Sequence, residues 1–237
     1  MRVTVVIPTY NEAGSIARVL DEIPSALVTE VLVVDGGSTD GTAEIAAAHG
    51  ARVIIETRRG YGRACLLGLA RAESPETVVF LDGDYSDRPS ELGRIVEPIR
   101  EGRADVVLGS RLAGGLAPGA MPWHAVLGNR LAATLIRWLY GIPLTDLGPF
   151  RAARYQVLRA LDLSEQTYGW AVEMVTRGAR RGYRVIEVPV SYHPRIGVSK
   201  ISGTFRGTMG AAFCILAGIV KNRLSARTTP MGPGPAA

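Results

Sequence analysis

The chain of 237 residues has only two cysteines, three histidines and 6% aromatic residues, and each scarcity removes a class of protein. Cys65 and Cys214 lie far apart in apolar surroundings, so a reducing compartment is expected and a disulfide framework is not. His49, His124 and His193 share no ligand spacing, which disfavours a zinc site. The uncharged run "GTMGAAFCILAGIV" covers 207–220, 14 residues between Arg206 and Lys221, short of the ~20 that cross a bilayer. The opening "MRVTVVIPTYNE" enters a strand without a signal-peptide apolar region, so export is not expected. No Gly-x-Gly-x-x-Gly follows the first strand, and the isolated "GYG" at 60–62 does not replace it, which disfavours a dinucleotide enzyme. The basic carboxyl-terminal part lacks interleaved aromatics for stacking bases, which argues against nucleic acid.

What is present is a large apolar fraction and a divided charge. The 47% hydrophobic content suffices for one sizeable core. Residues 1–150 carry 14 Lys and Arg against 18 Asp and Glu, whereas residues 151–237 carry 13 against 4. The basic carboxyl-terminal part is expected to meet an anion, either phosphate or an acidic membrane surface.

Short apolar runs alternate with helical patterns. Residues 3–7, 31–34, 52–55, 78–81 and 105–109 read as buried strands bounded by turn residues. Between them, "AGSIARVLDEI" places Ile16, Val19, Leu20 and Ile23 on one helical face, and "GTAEIAAAHG" ends on a capping Gly50. This alternation predicts an α/β fold: a Rossmann-like, mostly parallel sheet flanked by helices on both faces. Ligands of such sheets bind beyond the carboxyl ends of the strands, and there the sequence is polar five times over: "PTYNE", "DGGSTDGT", "TRRGYGR", "DGDYSD" and "GSR".

The fourth cluster is the most telling. Asp82 and Asp84, separated by a glycine that permits close backbone approach, suit a hard divalent cation that keeps open positions for phosphate oxygens. Without a cation, grouping these carboxylates at the end of a buried strand is costly.

Taken in order, "VVIPTYNE", "VVDGGSTDGT", "GYGRACLLGLARA", "LDGDYSDRPSEL" and "VVLGSR" resemble the family 2 glycosyltransferases of the GT-A fold. Further on, "TDLGPFRA", "YGWAVEMVTRGARRGYRVIEVPVSY" and "RIGVSK" resemble the dolichol-phosphate or polyprenyl-phosphate sugar synthase branch. The resemblance implies that Pro8, Thr9, Tyr10 and Glu12 line a nucleotide pocket, that Asp35 faces the base, and that Asp40 lies near the nucleoside. It implies that Asp82 and Asp84 hold Mg²⁺ or Mn²⁺ on the diphosphate of a donor of the GDP-mannose or UDP-glucose type. Ser86 stands where many relatives carry Gln, and "TDLGPFRA" departs from the commoner Thr-Ser-Gly-Phe-Arg wording.

A polyprenyl phosphate acceptor is already anionic, so its attack on the anomeric carbon needs alignment and leaving-group stabilisation but no general base. The resemblance implies inversion by one in-line displacement. Arg111, Arg130, Arg195 and Lys200 are the cations expected around the acceptor and leaving phosphates. Asp146 and Glu173 are expected either to orient them or to be buried structural carboxylates. A soluble or polysaccharide acceptor, and a non-catalytic nucleotide-sugar binding protein, are the alternative functions.

Three segments are expected: a glycosyltransferase domain over 1–203, an apolar and basic helical extension over 204–224, and a tail over 225–237 of disordered composition. The extension is either a core helix or an interfacial one whose basic flanks meet anionic lipid. A cytoplasmic protein with a peripheral position at the cytoplasmic face of a membrane is expected. In "HAVLGNRLAATLIRWLYG" the fourfold spacing of Leu127, Leu131, Leu135 and Leu139 predicts a core-facing stripe.

Overall fold

The computed structural model describes residues 1–197 and 205–224, the side chains of 205–214 excepted. Among them seven strands form one sheet: β1 (Val3–Thr9), β2 (Glu30–Asp35), β3 (Arg52–Ile55), β4 (Thr77–Phe80), β5 (Val106–Ser110), β6 (Arg151–Arg154) and β7 (Val185–Pro189), in the order β3-β2-β1-β4-β6-β5-β7. Pairing is parallel throughout except at β6, which runs antiparallel to both β4 and β5. The five anticipated strands are all present; β6 and β7 are additions that the hydrophobic runs did not announce.

Side-chain alternation explains the layers. Val6, Leu32, Val34, Val78, Phe80, Val106 and Leu108 point to one face of the sheet, and Val5, Ile7, Val33, Val79, Leu81 and Val107 to the other, all fully buried. Central strands buried on both faces are apolar in consecutive positions, as a covered parallel sheet requires. The second face is closed by α1 (Ile16–Asp21), α2 (Thr42–Ala48) and α4 (Leu92–Arg100). The first is closed by α3 (Tyr61–Arg71), α6 (Trp123–Tyr140), α7 (Tyr155–Leu161), α8 (Trp170–Arg180) and α9 (Phe205–Leu224). A single turn, α5 (Arg111–Gly114), follows β5. Ile16, Val19 and Ile23 are buried from α1 and its end as expected, and Gly50 closes α2 at φ +81°, where its N–H donates to the Ala47 carbonyl.

Two expectations about helices change. In α6 the buried side chains are Ala132, Ala133 and Ile136. Leu135 and Leu139 are only partly buried, while Leu127 and Leu131 are 60% and 55% exposed, beside Trp123 at 77% and Trp138 at 86%. The leucine stripe is therefore split, because small alanines bring the opposite side of the helix against the core. In α9, Ile219 is fully buried and Ile215 and Leu216 pack on the same core, with the Tyr140 hydroxyl donating to the Ile219 carbonyl at 2.5 Å. This end of α9 is thus a core element. No helix among the described residues is long and apolar enough to cross a membrane.

Candidate active site

The carboxyl ends of β1, β2, β3 and β4 converge on a cavity of about 220 Å³. Pro8, Thr9, Tyr10, Glu12, Asp82, Asp84 and Arg195 line it, together with Gly36, Glu56, Arg58, Arg59, Gly60, Tyr61, Ala64, Gly83 and Tyr168. The segments meet so closely that a Cβ on Gly83 would lie 2.8 Å from Thr9 Cγ2, which is why glycine separates the two aspartates. The Ser15 hydroxyl fastens the same turn from α1, donating to the Gly83 carbonyl at 2.8 Å.

One wall is cationic and aromatic. The Arg59 guanidinium stacks over the Tyr10 ring at 3.9 Å and donates to its hydroxyl. Tyr61 lies beneath, its hydroxyl buried without a hydrogen-bond partner. Burial and the charge of Asp82 push the Tyr61 phenol well above its ordinary range. The glycines of "GYG" serve packing: a Cβ on Gly60 or Gly62 would collide with the Gln166 or Glu165 carbonyl. The amides of Gly62 and Arg63 already donate to the Thr167 and Gln166 carbonyls, at 3.2 and 3.0 Å. The first turn of α3 is therefore committed to this loop, not presented to a phosphate.

Asp82 and Asp84 form the acidic floor. Asp84 Oδ1 accepts from the Ser86 amide at 2.9 Å and from its hydroxyl at 2.5 Å, and Asp84 Oδ2 pairs with Arg195 Nη2 at 2.7 Å. Asp82 Oδ1 is buried with no partner. Burial first, and the charge of Asp84 second, lift the Asp82 carboxyl to about 7. Arg151, fully buried on β6, donates to the carbonyls of Pro149, Ala171 and Gly148 and adds positive potential that bears on Asp82. A third carboxylate, Asp87, is buried with both oxygens unpartnered, and burial followed by the Asp82 charge holds it well above the usual carboxylate range.

This donor set fits a hard divalent cation. An orphaned buried carboxylate oxygen beside a second carboxylate is short of positive charge, and a cation there would relieve the repulsion. Among the described residues no group of three or more His, Cys, Asp or Glu side chains is placed to hold a metal ion, so the two aspartates would be the protein's share of the coordination. Coordination positions are left for ligand oxygens, as suits Mg²⁺ or Mn²⁺ on a diphosphate.

The remaining anticipated residues sit elsewhere. Asp35 is buried behind the cavity and accepts from the Gly37 and Ser38 amides at 2.9 and 2.7 Å, and from the Ser38 and Thr9 hydroxyls at 2.5 and 3.1 Å. Asp40 accepts from the Thr42 hydroxyl at 2.5 Å and from the amides of Ala13 and Thr42, each at 3.1 Å; these bonds outweigh partial burial and hold it below its ordinary value. Both carboxylates brace the loops that frame the cavity.

Arg111, expected on a phosphate, is buried with its fork closed on Asp146, Nε to Oδ2 at 2.6 Å and Nη2 to Oδ1 at 2.8 Å. Burial works against its charge, yet the Asp146 bonds raise its pKa overall. Glu173 accepts from the Ser164 and Glu165 amides, both at 2.9 Å, and pairs with Arg177, a structural role. Arg130 is exposed on α6, away from the cavity, and Lys200 lies outside the described residues. Arg59 and Tyr61 were visible in sequence as part of a polar strand end, and Tyr168 only as the first residue of the "YGWAVEM" stretch, with no role assigned to it.

Comparison with known proteins agrees with this geometry. The description of glycosyl transferase family 2 matches residues 4–162. An uncharacterised glycosyltransferase of Mycobacterium bovis is 39% identical over 208 residues, covering 87% of this chain and 93% of that protein. An undecaprenyl-phosphate mannosyltransferase of Micrococcus luteus is 36% identical over 221 residues, covering 87% and 90%. Among solved structures, glucosyl-3-phosphoglycerate synthase of Mycobacterium tuberculosis, in complex with Mn²⁺, UDP and phosphoglyceric acid, superimposes with a TM-score of 0.76 at 25% identity, covering 94% of this chain and 78% of that one. The fold is that of the GT-A glycosyltransferases.

Proposed function

We propose that this chain, which belongs to glycosyltransferase family 2, moves a hexose from a nucleotide diphosphate sugar to the phosphate of a polyprenyl lipid. The observation that carries the reading is the Asp82 and Asp84 pair beside Arg195, in the wall of a cavity that also holds Tyr10 and Arg59. Carboxylates for a cation, a guanidinium for phosphate and an aromatic-cationic wall for a nucleoside are the three parts a nucleotide diphosphate needs.

In this reading Pro8, Thr9, Tyr10 and Glu12 form the nucleotide side of the pocket, with Asp35 and Asp40 stiffening its loops. Asp82 and Asp84 would hold Mg²⁺ or Mn²⁺, which when bound offsets charge on the departing diphosphate. Arg195 and Lys200 would steady the acceptor and donor phosphates, while Arg111 works through Asp146 to fix the turn after β5. The acceptor phosphate oxygen attacks the anomeric carbon as the bond to the diphosphate breaks, in line and with inversion. An anionic phosphate brings no proton to remove, so no general base is required.

Two observations support a lipid acceptor over a soluble one. The Micrococcus luteus relative is named for undecaprenyl phosphate. On α6, Trp123, Leu127, Leu131 and Trp138 are exposed on one side of the helix, beside the exposed Arg130 and Arg137, a combination suited to an anionic bilayer surface. A soluble acceptor remains the second reading, because the structural neighbour was solved with phosphoglyceric acid.

The test is a screen of UDP- and GDP-hexoses with a short polyprenyl phosphate, with and without Mn²⁺. Metal-dependent formation of a hexosyl lipid phosphate from one donor is expected. Donor binding with no transfer to the lipid would overturn the assignment.

A further inference from the structure

Arg195 occupies a peculiar position: it is the ion-pair partner of a side chain that the proposed function assigns to a metal. Its Nη2 lies 2.7 Å from Asp84 Oδ2, with Asp84 5% and Arg195 30% exposed. The other oxygen, Asp84 Oδ1, is already engaged by the Ser86 amide and hydroxyl. A divalent cation that coordinates Asp84 through Oδ2 therefore meets a guanidinium in its place, and two cations a few ångströms apart on one partly buried oxygen repel strongly.

The surrounding backbone lets the side chain leave without moving its loop. The Ile196 amide donates to the Asp84 carbonyl at 2.9 Å and the His193 amide to the Ser86 carbonyl at 2.9 Å. Main-chain bonds thus hang residues 193–196 on the aspartate turn, independently of the Arg195 guanidinium. That guanidinium also lines the cavity, so on release it stays within reach of a ligand, and its planar fork pairs readily with phosphate oxygens.

We infer that Arg195 is an exchangeable counter-ion: it neutralises Asp84 while no metal is bound, and metal entry displaces it onto the phosphates that arrive with the metal. Metal and arginine compete when metal comes alone, and they cooperate when metal comes with a diphosphate, because the displaced guanidinium then gains a new anionic partner. The coupling is a differential interaction of one side chain with two states of the site. This rests on the reading of Asp82 and Asp84 as cation ligands.

The experiment titrates Mn²⁺, alone and with saturating UDP, into the wild-type protein and into Arg195→Gln, following free Mn²⁺ by electron paramagnetic resonance. Removing the competing charge of a partly exposed pair is expected to tighten Mn²⁺ binding alone by about two- to fivefold. The factor by which UDP strengthens Mn²⁺ binding is expected to shrink in the variant.

A second measurement uses the unaltered chain: phenylglyoxal modification of Arg195, read by peptide mass spectrometry. Mn²⁺ alone should accelerate it by freeing the side chain, and Mn²⁺ with UDP should slow it again. Equal or weaker Mn²⁺ binding by Arg195→Gln, or modification of Arg195 unaffected or slowed by Mn²⁺ alone, would overturn the exchange while leaving the metal site standing. Failure of both proteins to bind Mn²⁺ even with UDP would overturn the exchange and the metal reading together.

Discussion

Replacing a charged residue in a buried site usually destabilises a protein, but Asp82→Asn is expected to stabilise this one when no cation is bound. Asp82 is half-buried with its Oδ1 inaccessible and without a partner, and its carboxyl is raised from 3.8 to about 7, by burial first and by the charge of Asp84 second. A raised carboxyl means that the folded state binds the proton more tightly than the unfolded chain, so stability is retained at low pH and is lost as pH rises from about 4 to about 7. A shift of about three units at 1.36 kcal/mol per unit sets an upper figure of about 4 kcal/mol at pH 8. Asparagine has nearly the same shape and no charge. At pH 8, without metal, Asp82→Asn should therefore be more stable than the wild type, by at most about 4 kcal/mol, with a Tm higher by about 2 to 4 °C for each kcal/mol gained in a chain of this size. The gap should close toward pH 4. Urea denaturation at pH 4, 6 and 8 in EDTA, repeated with Mn²⁺, is the assay. Mn²⁺ should stabilise the wild type at pH 8 and leave the variant nearly unchanged. A variant less stable than wild type at pH 8, or a difference independent of pH, would refute the reasoning.

Other perturbations separate structural from ligand-binding roles. Asp146→Ala leaves the buried Arg111 charge without its partner and should cost about 3 to 5 kcal/mol in urea denaturation; pairing Asp146→Leu with Arg111→Met should recover much of that. On α6, Leu127→Ser with Leu131→Ser should alter stability by no more than about 1 kcal/mol, about 0.5 kcal/mol for each, since both side chains are largely exposed. The same double variant should lose the blue shift of tryptophan fluorescence on phosphatidylglycerol vesicles. Of the three tryptophans, Trp170 is buried against Phe80, so the shift reports Trp123 and Trp138; an undiminished shift in the variant would remove α6 as the docking face.

Much of the fold was legible because the five strands on which the reading rested are Val, Leu and Ile runs that stop abruptly at polar turns. β6 was not, since "RAAR" presents two charges and two small residues; Arg151 is tolerated in the interior only because backbone carbonyls receive its guanidinium, a partnership that local sequence does not record. In α6, fourfold spacing correctly indicated a helix but could not say which side faces inward, and the side with Ala132 and Ala133 packs closer than the leucines would.

The candidate site was legible where one strand end holds its own chemistry, as with Asp82 and Asp84 or Pro8 to Glu12. Where residues come together from distant segments, it was not. The resemblance allowed Asp146 as a carboxylate that orients Arg111, but their spacing, 35 residues apart, does not say that the two close on each other, and "YGWAVEM" does not say that Tyr168 reaches the cavity.

The most direct test of the central claim is a partition experiment in one tube. Labelled donor is supplied with Mn²⁺ to vesicles that contain polyprenyl phosphate and, at equal phosphate concentration, to soluble phosphoglycerate. The wild type and Asp84→Asn are run side by side, and label is counted in the organic and aqueous phases. The account predicts hexose in the organic phase with the wild type and almost none with Asp84→Asn. Label transferred only to the soluble acceptor, or equal transfer by Asp84→Asn, would contradict it.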